Sequence, residues 1–374
     1  MTDKPLSTSL YEQIKHFIRS EIGRQAWKPG DLLPSEHELT RRFAVSRITV
    51  KKAMSDLVKE GLVYRIQGKG SYVSPMDGKA PAAPSGIDSV PLRSPVALLL
   101  PFINNRFNAL LLGGVESVLA EAGYPLLFCH TGNSQANEER ILRRLKQAPL
   151  AGLIVYPVEG ETYNRELVQL ALDDVPFVVV DRDLRGIDTH FVGADNVAGA
   201  REAVGHLISL GHRNIGFVST VVAGTSSIED RLAGYEQAHA DYRLPIDRRF
   251  RLAHLEIEVP KQAELRSFLA RNPDMTAVFA INPGLGLEVA DAARGLGLRL
   301  PQELSLVFFD DFEFSEFHAV RPSCVVQDSR QLGQEAARML LAVIEQPRRE
   351  RRKLFLPPHL LLRDSAVPPV RREA

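Results

Sequence analysis

Only two cysteines, Cys129 and Cys324, occur in 374 residues. They offer no thiolate metal spacing, and neither obliges an oxidising compartment. Excess charge of one sign is also missing, since 46 Lys and Arg balance 46 Asp and Glu. That balance excludes a uniformly basic nucleic-acid coat. No apolar run approaches the roughly 20 residues of a membrane span, and residues 1–20 hold no apolar signal segment, so a cytoplasmic protein without membrane contact is expected. His206 and His212 lie six apart across Gly211, which suits a helix end and strand start better than a metal pair. Gly284-Leu285-Gly286 begins like a dinucleotide fingerprint, but Val289 stands where the third glycine belongs, and a helix start fits better. No metal, cofactor or catalytic residue is expected.

What is present begins with charge asymmetry. Residues 1–75 hold thirteen Lys and Arg against eight Asp and Glu, a net +5 that leaves −5 for the remainder. Ser9 and Glu12 read as a capping box ahead of Leu10, Ile14, Phe17, Ile18 and Ile22 at helical spacing, which predicts a helix over 10–23. Trp27-Lys28-Pro29-Gly30 is turn chemistry, and Ser35 with Glu38 opens a second short helix ending near Phe43. Ser46 is the expected N-cap of a third helix that closes at Gly61, with Val50, Ala53, Met54 and Leu57 as its buried stripe. The opposite face carries Arg47, Ile48, Lys51, Lys52 and Ser55, with Thr49 near the start. A solvated surface and a DNA-reading face both fit such residues. The run Leu62–Gln67, the tip Gly68-Lys69-Gly70 and the return Ser71–Val73 then form a hairpin whose glycines let the backbone approach phosphates. Together these elements predict a winged helix-turn-helix over residues 1–75.

Residues 76–94, rich in Pro, Ala, Gly and Ser, cannot bury a core and read as a linker. Residues 95–374 alternate helices with apolar runs at 96–100, 125–129, 152–156, 176–180, 214–218, 277–280 and 304–309. Such runs suit parallel strands covered on both faces, and the length suits two doubly wound α/β lobes. Ligands in such sheets bind beyond the carboxyl ends of the strands. That rule selects Asn104-Asn105-Arg106-Phe107, Asp181-Arg182, Asn282 and Asp310-Asp311. Polar residues at these places are also common turn formers and caps, but carboxylates, amides, guanidiniums and an aromatic plate are the equipment for a polyol. The basic run Arg348–Lys353 reads as a solvated loop before a strand at Leu354-Phe355-Leu356.

The head resembles the GntR family of bacterial transcription regulators through Leu33-Pro34-Ser35-Glu36, Leu39, Phe43, Val45-Ser46-Arg47, Thr49-Val50, Ala53, Leu57, Glu60-Gly61-Leu62 and Gly68-Lys69-Gly70. The resemblance implies DNA contacts at His37, Ser46, Arg47, Thr49, Lys51, Gln67 and Gly68. Lys51 stands where the family usually has arginine; it keeps the charge and loses the bidentate fork. Residues 94–365 resemble the LacI-type effector domain and the periplasmic sugar-binding proteins that share its fold. The carrying motifs are Asn105-Arg106-Phe107, Asp195–Gly199, His206–Ile215, Arg231–Tyr235, Phe309-Asp310-Asp311 and Gln327-Asp328. This second resemblance implies effector contacts at Asn105, Phe107, Asp181, Arg182, Arg231, Asn282, Asp310 and Gln327. Asn282-Pro283 replaces the family's Asn-Asp, and Arg106 with Asn108 interrupts its Asn-Pro-Phe-Phe, which leaves phosphorylated or acidic sugars open. The expectation is a sugar-controlled transcription regulator, acting as a repressor and homodimer on double-stranded operator DNA. The alternatives are a GntR-type head on a pyridoxal-phosphate enzyme, and a transport-type sugar receptor.

Overall fold

The computed structural model describes residues 9–66, 70–74, 93–160, 164–173, 175–255, 260–313, 315, 318–347 and 349–370. They fall into two compact units, one within 1–90 and one within 91–374.

In the first unit, α1 (Leu10–Gly23), α2 (Glu36–Phe43) and α3 (Arg47–Lys59) start where the caps predict. Ser35 and Glu38 close a reciprocal box, and the Ser46 Oγ accepts from the Thr49 N–H at 3.2 Å. Such caps satisfy backbone donors that the helix itself leaves open. Gly61 takes the left-handed φ of +74° that ends α3. Ile14, Ile18, Leu39, Val50, Met54 and Leu57 meet in one core, fully or almost fully buried. Val63 and Val73 join it from β1 (Val63–Ile66) and β2 (Gly70–Val73), an antiparallel pair with Tyr64 stacked on Tyr72. A bridge from Leu32 to Tyr72 ties this wing to the turn before α2.

The second unit begins with a lobe built from β3 (Val96–Leu100), α4 (Arg106–Glu121), β4 (Leu126–His130), α5 (Gln135–Leu145), β5 (Gly152–Val155), α6 (Arg165–Leu172), β6 (Phe177–Val180) and β7 (His190–Ala194). The chain crosses at Asp195 to α7 (Asn196–Ser209), β8 (Ile215–Thr220), α8 (Ser226–Asp241), β9 (Arg251–Leu255), α9 (Gln262–Arg271), β10 (Ala277–Ala280), α10 (Pro283–Gly295), β11 (Ser305–Phe309) and β12 (Ser323–Val326). It returns through α11 (Ser329–Glu345) and β13 (Lys353–Leu356) to the first lobe and crosses a third time to β14 (His359–Leu361) in the second. The strand orders β4-β3-β5-β6-β7-β13 and β9-β8-β10-β11-β12-β14 are the same pattern used twice, parallel except for β14. Asp195 and Asp328 repeat each other at two of the crossings, with φ, ψ of −74°, 80° and −78°, 81°, each capping the helix that follows.

Two expectations change. The run 125–129 does not form a strand covered on both faces: β4 spans Leu126–His130 at the sheet edge, where Leu127 and Phe128 are each 39% exposed. An edge strand has a neighbour on one side only, so its side chains are left partly uncovered. Strands β7, β9, β12 and β14 also escape the apolar-run criterion, because His190, Gly193, Arg251, His254, Ser323 and His359 interrupt them. Their pairing is nonlocal and overrides the weak local signal.

Helices α4 and α11 pack so closely that a Cβ on Gly333 would lie 2.2 Å from the Leu111 carbonyl oxygen, and one on Gly114 2.1 Å from that of Arg330. Gly333→Ala should therefore cost about 1–3 kcal/mol through overpacking. A urea midpoint lowered at constant slope would show it, and an unchanged midpoint would refute the contact.

Candidate functional site

In the first unit, α3 turns Val50, Ala53, Met54 and Leu57 inward, so Arg47, Ile48, Lys51, Lys52 and Ser55 face solvent. The Arg47 side chain is 79% exposed and its Nε lies 3.9 Å from Glu36. Ile48 is 80% exposed, a large apolar residue on a polar face. His37 is exposed on α2, while Ser46 and Thr49 share a 2.9 Å hydrogen bond at the start of α3. Gln67 and Gly68 lie outside the described residues.

In the second unit, a cleft of about 670 Å³ opens between the lobes at the carboxyl ends of the strands. Asp181 and Asp310 face it from opposite walls, each the first residue after the fourth strand of its lobe. The pair repeats in detail. Each has a left-handed backbone, with φ of +66° and +68°, and each N–H donates to the next strand, to Val192 and Val325 at 2.9 and 2.8 Å. A left-handed non-glycine residue costs on the order of 1 kcal/mol, and such strain collects at binding sites.

Arginines stand beside both acids. Arg182 donates to the Pro157 carbonyl at 2.7 Å and to Glu159 at 2.8 Å, its guanidinium over the Tyr156 ring. Arg231 donates to Asn196 at 2.8 Å and the Ile281 carbonyl at 2.7 Å, lies over the Phe309 ring, and approaches Asp310 to 4.0 Å. Gln327 donates to the Asp310 Oδ1 at 2.7 Å. Burial pushes Asp310 up to about 6; Arg231 and Gln327 oppose the shift, and Asp181 and Asp311 reinforce it. Burial, then the charge of Asp181, raises the Tyr156 hydroxyl well above its ordinary value. Asp311 is pulled the other way: burial would raise it, but bidentate donation from Arg363 at 3.0 and 3.1 Å holds it below the usual range.

Asn105 and Asn282 cap α4 and α10, each accepting at 2.8 Å, from the N–H of Asn108 and of Leu285. With that oxygen engaged, each offers a ligand its amide N–H. Phe107 packs edge-on to Tyr156 and lines the cleft. Asn105, Phe107, Asp181, Arg182, Arg231, Asn282 and Asp310 thus come together on one cavity. Gln327 does not line it; it sits behind Asp310 on an adjoining cavity of about 230 Å³. Tyr156, Glu159 and Ser227 also line the cleft and were missed. Tyr156 directly follows β5, so the strand-end rule had the means to find it; Ser227 carries no such signal. The lobes are bridged by Arg106 to Asp311 at 3.4 Å, by Arg185 to Glu229 at 2.7 Å, and by the Gly160 N–H to the Thr225 hydroxyl at 2.9 Å.

Both His212 nitrogens are engaged, with the Thr276 hydroxyl and the Val367 carbonyl, and no cluster among the described residues is suited to a metal ion. No helix among them is long and apolar enough to cross a membrane.

Residues 10–73 match the bacterial regulatory proteins of the gntR family, and residues 204–366 match a periplasmic binding protein-like domain. The chain is 32% identical over 345 residues to the arabinose metabolism transcriptional repressor of Geobacillus stearothermophilus, an alignment that covers 90% of this chain and 91% of that protein. The chain belongs to the gntR family of transcription regulators. Within that family its effector domain is of the periplasmic-binding, LacI-like kind. The transcription regulator CelR in complex with cellobiose superposes with a TM-score of 0.66 at 26% identity, over 86% of this chain and 91% of that one. The transcription regulator GntR of Chromobacterium violaceum does so at 0.64 and 25%, over 72% and 98%. A binding-protein body replaces the enzyme domain of the pyridoxal-phosphate alternative, and a gntR head is foreign to a transport receptor. This gntR-family protein is a transcription regulator.

Proposed function

We propose that this regulator is a repressor that binds a double-stranded operator as a homodimer and that a sugar or sugar derivative in the cleft releases it. The observation that carries the reading is the repeated pair, Asp181 and Asp310, one on each lobe, the first buried and the second half-buried, at strand ends in backbone conformations that cost energy. Carboxylates on opposite walls accept from hydroxyls of one polyol, and the ligand thereby links the lobes. Arg182, Arg231, Asn105 and Asn282 donate to its oxygens, and Phe107 receives its C–H face. The names of the arabinose repressor and the cellobiose complex support the class of ligand.

The proposed boundaries are 1–75 for the winged head, 76–94 for the linker and 95–374 for the effector and dimerisation body. His37, Ser46, Arg47, Thr49, Lys51, Gln67 and Gly68 are the proposed DNA contacts. A single head carries one recognition helix, which fits one half of a near-palindromic operator and favours a dimer. Sedimentation at micromolar concentration should give the dimer mass, and a monomer with and without operator refutes it.

A thermal-shift screen of pentoses, hexoses and their phosphates tests the cleft. A ligand at a hundred times its Kd stabilises the protein by about 2.7 kcal/mol. The same ligand must change operator affinity by the factor by which operator changes its own. A regulator that no sugar stabilises would overturn the reading.

A further inference from the structure

From the way the charged groups of the cleft are paired, we infer that the effector is an uncharged sugar, and that sugar acids and sugar phosphates are selected against by Asp181 and by Glu159 acting through Arg182. This inference rests on reading the cleft as a sugar site.

Five carboxylates and three guanidiniums line the cavity, an excess of acid. Each guanidinium is already partly committed. Glu159 and the Pro157 carbonyl hold Arg182; Asn196, the Ile281 carbonyl and the Phe309 ring hold Arg231. Arg106, from the first turn of α4, rests on Asp311, which Arg363 already grips with two bonds. Asp181 shares a hydrogen bond with the Tyr156 hydroxyl but keeps one oxygen open. It is 3% exposed, and its Oδ1 is buried without a hydrogen-bond partner. Its neighbour Arg182 has an Nε–H in the same condition. A hydroxyl, which both donates and accepts, satisfies an orphaned acceptor and an orphaned donor; a carboxylate or phosphate oxygen brings only acceptors and a second negative charge.

The crowding of acids sharpens the discrimination. Asp181 and Asp311 lie close enough to Asp310 to oppose its ionisation, so a ligand anion between the walls joins a set of like charges that the arginines do not cancel. An anion would have to share Arg182 with Glu159, or Arg106 with Asp311. Glu159 is therefore a positioning residue: it engages the guanidinium that would otherwise answer an anion. Negative selection of this kind works through repulsion and lost partners rather than through better contacts to the preferred ligand.

The test is calorimetric titration of the full chain with matched probes: D-glucose against D-glucuronate and D-glucose 6-phosphate, D-galactose against D-galacturonate, D-ribose against D-ribose 5-phosphate, and L-arabinose against L-arabinonate. At least one neutral sugar should bind, with its anionic counterparts weaker by more than about tenfold. An anionic counterpart that binds within that factor, or more tightly, overturns the inference and leaves the sugar reading standing. If neither member of any pair binds, the sugar reading fails and the inference with it. The ratio of anionic to neutral Kd is then measured in Glu159→Gln and Asp181→Asn. Both variants should narrow it, which a merely structural role for Glu159 would not do. A ratio unchanged in Glu159→Gln, or in both, removes that residue or the whole filter.

Discussion

Asp310→Asn should lose most of its sugar response and at the same time become more stable than the parent protein near neutral pH. The amide keeps an oxygen for the Gln327 N–H and tolerates the left-handed backbone at φ +68°, so the variant has no reason to misfold. What it loses is a charge-assisted acceptor, about 1.5–3 kcal/mol per bond, or roughly ten- to a hundredfold in sugar affinity. Its gain in stability has a defined pH window. Burial raises the Asp310 carboxyl from 3.8 to about 6, so folding favours its neutral form. That contribution is fully present below pH 3.8 and is lost as the pH rises through about 6, leaving a cost of about 2–3 kcal/mol above it. The stability of the variant should therefore exceed that of the parent above pH 6 and converge with it toward pH 4. Operator affinity without sugar should be unchanged, because the substitution lies in the effector unit. Urea melts across this pH range, paired with operator titrations at several sugar concentrations, check both halves. An undiminished sugar response would place the effector outside the cleft.

Arg47→Ala should weaken binding to a specific operator by about 1–3 kcal/mol if the guanidinium reads a base edge. The structure leaves the Arg47 side chain available: it is 79% exposed, and its ion pair with Glu36 at 3.9 Å is long and solvated. Lys51→Ala should act differently, lowering affinity for specific and random duplexes alike and flattening the dependence on salt, as the loss of a phosphate contact does. Fluorescence anisotropy with both duplexes at several salt concentrations separates the two. Equal losses on specific and random DNA for Arg47→Ala would make it a backbone contact; no loss would remove it from the interface.

Much of the head was legible because its signals are local. A capping residue and the N–H it accepts from lie three apart, as at Ser35 and Glu38 or Ser46 and Thr49, and apolar spacing at three and four residues marks the buried stripe of α3. In the body, strands buried on both faces announce themselves as apolar runs, and the strand-end rule led directly to Asp181, Asp310, Asn282 and the Asn105–Phe107 segment. It failed where strands are interrupted by polar residues, as at β7 and β12, and at β4, whose apolar composition does not reveal that it is an edge.

The helices, the apolar strands and the polar groups that follow those strands were determined by the sequence alone, since those properties depend on neighbours a few positions away; the strands interrupted by polar residues, β7, β9, β12 and β14, were decided by pairing across the sheet. The partners of those polar groups were decided by the tertiary structure. Arg231 is fixed by Asn196, 35 residues earlier, and Asp311 by Arg363, 52 residues later. Gln327 serves Asp310 from behind and Glu159 engages Arg182, so neighbours remote in sequence set which charges remain open to a ligand. Long side chains reach several acceptors, and only the packing of the lobes selects among them; no pattern along the chain encodes that choice.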